Sequence, residues 1–175
     1  MSIKTIFLDR DGVINKDINY LYNINDFIFI DGIFEACQYF GKLGYQIIII
    51  TNQSGIARGF YNTQDYEALT QWMLNQFKEK GIQILDIFYC PHAPKSNCEC
   101  RKPKPGMILE AKNKHNINLK LSWMIGDSET DIKAASNSGI PNTILLSEGN
   151  KINQTHSNAT FEISSIKHAN EIIIV

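Results

Sequence analysis

Asp9-Arg10-Asp11-Gly12-Val13 sets two carboxylates two residues apart, directly after an apolar stretch and before a glycine that frees the backbone to turn. Spaced this way, one carboxylate can attack a phosphorus atom while the other reaches the leaving oxygen. Taken alone, an aspartate pair at a strand end is as readily a turn carrying solvated charges. Gly126-Asp127-Ser128-Glu129-Thr130-Asp131 follows another apolar stretch and puts Asp127 and Asp131 four residues apart on one side of an opening helix. A helix N-cap with acidic first-turn residues gives the same pattern. If Asp127 meets Asp9, however, the two repel unless a cation lies between them. Hard oxygen ligands with room for water and a phosphate oxygen suit magnesium. Thr51-Asn52-Gln53-Ser54-Gly55 offers hydroxyl, amide and backbone donors for a transferring phosphoryl group. Arg101-Lys102-Pro103 adds fixed positive charge on a stiffened backbone, of use opposite the equatorial oxygens of a phosphoryl transition state.

Cys90-Pro91-His92 followed by Cys98-Glu99-Cys100 supplies three thiolates and an imidazole, a complete tetrahedral set for zinc. With all four positions filled by protein, the metal is expected to be structural. The surrounding loop is rich in proline and poor in aliphatic side chains, so burial cannot order it and a metal can. In a reducing compartment such crowding favours metal over disulfide. The expected role of the zinc is to fix this loop and aim Arg101 and Lys102.

These groups need a scaffold, and the chain supplies short apolar runs at 3–8, 46–50, 84–89, 122–125 and 142–145. Helical stretches at 33–42, 63–80, 106–115 and 129–138 alternate with them, with Gly44, Gly81 and Gly139 placed to end three. That alternation predicts an α/β fold, a Rossmann-like three-layer parallel sheet with helices on both faces. The chain is expected to form one domain over 1–175, its tail from Thr155 a loose strand and turn ending on apolar 172–175. In open parallel sheets ligands bind beyond the carboxyl ends of the strands. Asp9, Thr51, Cys90 and Asp127 all fall there and should converge on one crevice.

Seventeen basic residues against 18 acidic leave a net charge of −1, so no global field draws nucleic acid or an anionic membrane. Without a long apolar run or a leader-like N-terminus, the chain is expected to be cytoplasmic, free of membrane and a monomer. Leu69, Trp72 and Phe77 recur at helical spacing and read as core. Cys37 reads as a small buried hydrophobe, and His115, His156 and His168 as isolated.

In order and placement, Asp9-Arg10-Asp11-Gly12, Thr51-Asn52, Lys102 and Gly126-Asp127 resemble the four motifs of the haloacid dehalogenase (HAD) phosphatases, over about two thirds of the chain. The resemblance implies a HAD fold in which Asp9 is the nucleophile that forms an aspartyl-phosphate and Asp11 is general acid, then base. It implies that Thr51 and Lys102 hold the phosphoryl oxygens. Magnesium would be held by the carboxylates of Asp9 and Asp127 and the backbone carbonyl of Asp11, with Asp131 supporting from behind. No insertion is large enough for a separate cap domain, so residues 16–29 and the zinc-stapled loop should wall the site.

Within the family, the zinc loop with Cys100-Arg101-Lys102-Pro103 resembles the subgroup of heptose 1,7-bisphosphate phosphatases and related histidinol-phosphate phosphatases. The stretch 51–59 looks like the heptose branch, whereas the five residues between His92 and Cys98 match the histidinol branch. The heptose branch implies a small phosphorylated sugar as substrate, losing its C7 phosphate on the way to lipopolysaccharide or surface glycan. Substrate contacts are then expected from Asp17, Tyr20, Asn52, Gln53, Ser54, Arg101, Lys102 and Ser128. Arg101, with help from Arg58, would meet a second anion. Two rivals are weaker. A nucleic acid 3′-phosphatase calls for a basic run with interleaved aromatics that this chain lacks. A zinc-stapled interaction module without catalysis leaves the four acidic and polar motifs unexplained.

Overall fold

The computed structural model describes residues 2–147 and 157–174. Its strands are β1 (Thr5–Leu8), β2 (Gln46–Asn52), β3 (Ile84–Cys90), β4 (Trp123–Gly126), β5 (Asn142–Leu146) and β6 (Phe161–Ile163). Its α-helices are α1 (Ile33–Lys42), α2 (Thr63–Glu79), α3 (Gly106–His115), α4 (Glu129–Ser138) and α5 (Ala169–Ile172). Side chains alternate across a strand, and here both faces are apolar. Ile6, Leu8, Ile47 and Ile49 enter one core with α1, α2 and α5. Phe7, Ile48 and Ile50 enter the other with α3 and α4. Two buried faces explain why the strands read as unbroken apolar runs.

The sheet runs β3-β2-β1-β4-β5-β6 and every pairing is parallel. The first strand is therefore central, with β2 on one side and β4 on the other. Chain direction reverses outward at that point, so the connections leave a crevice over the carboxyl ends of β1, β2 and β4. Between β1 and α1 the chain makes a strap in which Lys16 N donates to Ile28 O at 2.9 Å and Ile30 N to Ile14 O at 2.9 Å. The loop carrying the cysteines joins β3 to α3.

Helix bounds match expectation within a residue, as Asn62 and Asp65 box the start of α2 and Gly139 closes α4. Leu69, Phe77 and Cys37 are buried in the core and Trp72 packs against it. Two expectations need correction. The tail is more regular than a loose strand and turn: β6 pairs along β5 from Ile144–Phe161 to Leu146–Ile163, and Ile166, Ala169 and Ile173 are buried beneath it. Thr155, His156 and Val175 lie outside the described residues. His115 is not isolated, because its Nε2 lies 2.6 Å from Asp86 Oδ2, with Lys114 Nζ at 2.8 Å from the same oxygen. No described helix is long and apolar enough to cross a membrane.

Candidate active site

Parallel strands ending side by side deliver Asp9, Asn52 and Asp127 to one cavity of about 240 Å³, where they meet Asp11, Asp17, Lys102, Ser128, Thr130 and Asp131. Larger concavities exist, one of about 620 Å³ between α1 and the end of α2, but its lining of Cys37, Tyr45, Lys42 and Lys80 groups no acids or ligands.

Lys102 organises the cavity floor. Its ammonium is buried, donates to Asp9 Oδ1 at 2.8 Å and to Ile50 O at 3.0 Å, and lies 2.6 Å from Asp131 Oδ1. Burial opposes its charge, but the Asp131 and Asp9 carboxylates outweigh burial and raise its pKa. Its backbone is pinned as well: Lys102 N donates to Asn52 Oδ1 at 3.1 Å, and Asn52 Nδ2 donates back to Lys102 O at 3.2 Å. Asp9 Oδ1 accepts a further bond from Arg10 N at 2.8 Å. The bonds found to Asp9 among the described residues fall on Oδ1, so Oδ2 stays outside the network.

Two glycines let the acids approach. A Cβ on Gly12, where φ is +85°, would sit 2.0 Å from Asp127 Oδ2. A Cβ on Gly126 would sit 2.2 Å from Asp131 Cβ. Asp131 also accepts from Ser128 N at 3.2 Å and Ser128 Oγ at 2.9 Å, so it caps α4 and holds Lys102 together. Burial first, then the charge of Asp131, push the Asp127 carboxyl up to about 7. Burial and Asp131 likewise raise Asp9 well above the carboxylate range, against the pull of Lys102. Oxygens of Asp9, Asp127 and Asp131 lie within 4.8 Å of one another. Three crowded acids with one ammonium leave negative charge uncompensated, and an all-oxygen donor set fits a hard divalent cation.

The cysteine loop passes a geometric test. Ligands about 2.3 Å (sulfur) and about 2.0 Å (nitrogen) from a tetrahedral zinc stand roughly 3.8 Å apart for a sulfur pair and roughly 3.5 Å for sulfur and nitrogen. Cys90 Sγ is 3.7 Å from Cys98 Sγ and 3.5 Å from His92 Nδ1, and His92 Nδ1 is 3.2 Å from Cys100 Sγ. The cysteines are free thiols, so this cluster could hold zinc. Lys104 fastens the same loop by donating to Cys98 O at 2.8 Å.

The expected substrate residues divide. Asp17, Asn52, Lys102 and Ser128 line the cavity. Tyr20 lies on the strap and is not among the residues lining the cavity; its φ is +55° after Asn19 at +59°, a conformation that L-residues adopt at a cost. Its ring stacks on Phe60 at 4.3 Å, and its hydroxyl accepts from Arg58 Nη1 at 2.5 Å. Arg58 is thus engaged with Tyr20 and Phe60 and not spread toward a second anion. Arg101 and Ser54 are partly buried, and neither is among the residues lining the cavity. Thr51 is buried at the end of β2, and its hydroxyl accepts from Gln53 Nε2 at 2.8 Å.

Gln53 departs from expectation, for it is buried and its amide bonds protein groups. Sequence reasoning also missed the shell around Asp11. Arg10, itself buried, donates through Nη2 to Asp11 Oδ1 and Oδ2 at 2.8 and 2.9 Å, and Asn15 Nδ2 donates to Oδ1 at 3.0 Å. A buried arginine beside an acid pair has a sequence signal only in its position between Asp9 and Asp11.

Comparison with known proteins bears on these geometries. A HAD-hydrolase-like family model matches residues 99–168. A D-glycero-alpha-D-manno-heptose-1,7-bisphosphate 7-phosphatase of Photorhabdus laumondii is 48% identical over 164 residues, covering 90% of each chain. The chain belongs to the haloacid dehalogenase phosphatases. Within that family, a D-glycero-beta-D-manno-heptose-1,7-bisphosphate 7-phosphatase of Helicobacter pylori is also 48% identical, over 88% of this chain and 89% of its own. Equal identity to relatives named for opposite anomers means that overall similarity does not separate the two. A crystal structure of a HAD member, the D,D-heptose 1,7-bisphosphate phosphatase of B. bronchiseptica complexed with magnesium and phosphate, superposes with a TM-score of 0.88 at 30% identity, over 97% of each chain. These HAD relatives carry heptose names, which favours the reading from 51–59 over that from the short zinc loop.

Proposed function

We propose that this protein removes the C7 phosphate of D-glycero-D-manno-heptose 1,7-bisphosphate, with residues 1–175 acting as one phosphatase unit. The observation that carries the chemistry is Asp9, whose Oδ1 is clamped by Lys102 and Arg10 N, while Oδ2 has no bond among the described residues and the carboxylate shares the cavity with Asp127. The heptose-named relatives support the substrate.

Asp9 Oδ2 attacks phosphorus, the bond from phosphorus to the C7 oxygen breaks, and Asp11 supplies the proton that the departing alkoxide needs. Water then attacks the aspartyl-phosphate, Asp11 takes its proton, and Asp9 is released with inorganic phosphate. Thr51 and Lys102 orient the phosphoryl oxygens, and the ammonium of Lys102 faces their charge without reorganising. Asp9, Asp127 and the Asp11 carbonyl would hold magnesium, which when bound neutralises charge between the carboxylates and the phosphate. Cys90, His92, Cys98 and Cys100 would hold zinc and keep Arg101 and Lys102 in register with β2. Asp17, Tyr20, Asn52, Ser54, Arg101 and Ser128 are the proposed substrate contacts. The balanced charge and the absence of a membrane-crossing helix among the described residues support a cytoplasmic enzyme, and we place it there as a monomer.

The test is phosphate release with magnesium from heptose 1,7-bisphosphate and histidinol phosphate side by side, with Asp9→Asn as control. Turnover of the bisphosphate, lost in the variant, is expected. Preference for histidinol phosphate overturns the substrate assignment, and activity surviving in Asp9→Asn overturns the mechanism.

A further inference from the structure

Gln53 is buried, and every polar atom of its side chain is accounted for within the protein. Nε2 donates to Asp11 Oδ2 at 3.0 Å and to Thr51 Oγ1 at 2.8 Å, while Oε1 accepts from Tyr61 Oη at 2.5 Å. The amide nitrogen thus faces Asp11 and Thr51, and the oxygen is left to Tyr61. Tyr61 is buried too, its ring stacked on Tyr22 at 5.6 Å. Gly55 makes this approach feasible: a Cβ there would lie 2.2 Å from Tyr61 Cε1, so the ring occupies the space that any other residue would fill. Gln53 N donates to Cys90 O at 2.8 Å, so its backbone is fixed across β2 and β3 as well.

The geometry points to Gln53 as a positioning residue, held in one orientation by Tyr61, that sets the Asp11 carboxylate against the Thr51 hydroxyl and does not itself touch substrate. This rests on the roles given above to Asp11 and Thr51. One amide ties the group that moves the proton to the group that orients the phosphoryl oxygens. With both hydrogens used, Gln53 has no donor left for a sugar hydroxyl. Removing its nitrogen frees Asp11 to rotate about the Arg10 and Asn15 bonds that remain. A misplaced acid matters most when the leaving oxygen needs a proton. A sugar alkoxide does, whereas p-nitrophenolate departs without one.

The experiment compares kcat/KM for heptose 1,7-bisphosphate and p-nitrophenyl phosphate in the wild type, Gln53→Leu and Tyr61→Phe, because kcat/KM covers the steps through loss of the leaving group. Gln53→Leu is expected to lower the sugar value about 10- to 100-fold, as partial loss of general acid catalysis should, and the aryl value less than threefold. Tyr61→Phe, which keeps the ring and its packing, is expected to give the same selective loss at a smaller size. Heptose bisphosphate binding measured by calorimetry is expected to be equal in Asp9→Asn and Asp9→Asn/Gln53→Leu. Equal losses on both substrates in Tyr61→Phe would reduce Gln53 to a structural role, and weakened calorimetric binding would make it a substrate contact; either overturns the proposal. Turnover of p-nitrophenyl phosphate by Asp9→Asn overturns the Asp9 mechanism on which this inference rests, and is distinguishable from both.

Discussion

Gly12→Ala tests the construction of the acidic cluster most directly. The new methyl would lie 2.0 Å from Asp127 Oδ2, 2.4 Å from Cγ and 2.9 Å from Cβ, so no rotation of the carboxylate alone relieves it. Reaching the 3.0 Å that real Cβ contacts respect takes a displacement of about 1 Å. A 1 Å misplacement of a catalytic group lowers rate by roughly 100-fold. The left-handed backbone adds about 1–2 kcal/mol of strain for an L-residue, which at about 2–4 °C per kcal/mol for a chain of this size lowers Tm by about 2–8 °C. Gly81→Ala is the matched control, since Gly81 has φ of +72° and nothing within 4 Å of its Cβ. It should lose similar thermal stability and keep full activity. Phosphate release at increasing magnesium, with a melting curve for each variant, is the assay. Gly12→Ala should need more magnesium and fall about 100-fold in kcat/KM, an estimate from misplacement alone. Wild-type kcat/KM at wild-type magnesium would refute the close packing of Gly12 on Asp127.

Lys102→Met should abolish turnover and lower stability by about 3–5 kcal/mol, because two buried carboxylates lose their counter-charge; a denaturant titration matching wild type would sink that reading. Asp127, pushed up to about 7, holds a proton below that pH which magnesium must displace. Magnesium affinity by calorimetry should therefore weaken about tenfold per pH unit below 7, the slope for one displaced proton, and a flat profile would argue against Asp127 as a ligand. In the metal-free protein the same raised pKa means the folded state keeps a proton that the unfolded chain releases above 3.8. Stability contributed by Asp127 is thus lost as pH rises toward 7, to be seen as a falling Tm in chelator. Purified protein should carry one zinc per chain, and Cys98→Ser should lose it along with thermal stability; a metal-free wild type of unchanged Tm would contradict the zinc site.

The legible part of the site was the part written locally. Asp9 and Asp127 announce themselves by sitting at the ends of apolar runs and Lys102 by its place between Arg101 and Pro103 after the cysteine cluster, and the topology that unites them follows from strand and helix alternation. The spacing of the four zinc-type ligands is likewise local. What stayed hidden depends on distant partners. His115 looked isolated because Asp86 is far from it in sequence, and Gln53 looked like a substrate contact because Tyr61 gives no sign of reaching back past Gly55. β6 is three residues long and partly exposed, too short for a period to show, and its register along β5 decides it.

Because β1 lies at the middle of the sheet, its two edges are completed at very different times. The side facing β2 closes once residues 46–52 exist, but the side facing β4 waits for residues 123–126. Until then a growing chain presents the unpaired edge of a strand that the folded protein buries throughout, which is a template for wrong association. Synthesis that stalls between those points should yield aggregates and not a smaller working enzyme. Asp9 gains its Lys102 partner only in the same late interval, so activity and solubility should appear together in a series of lengthening fragments.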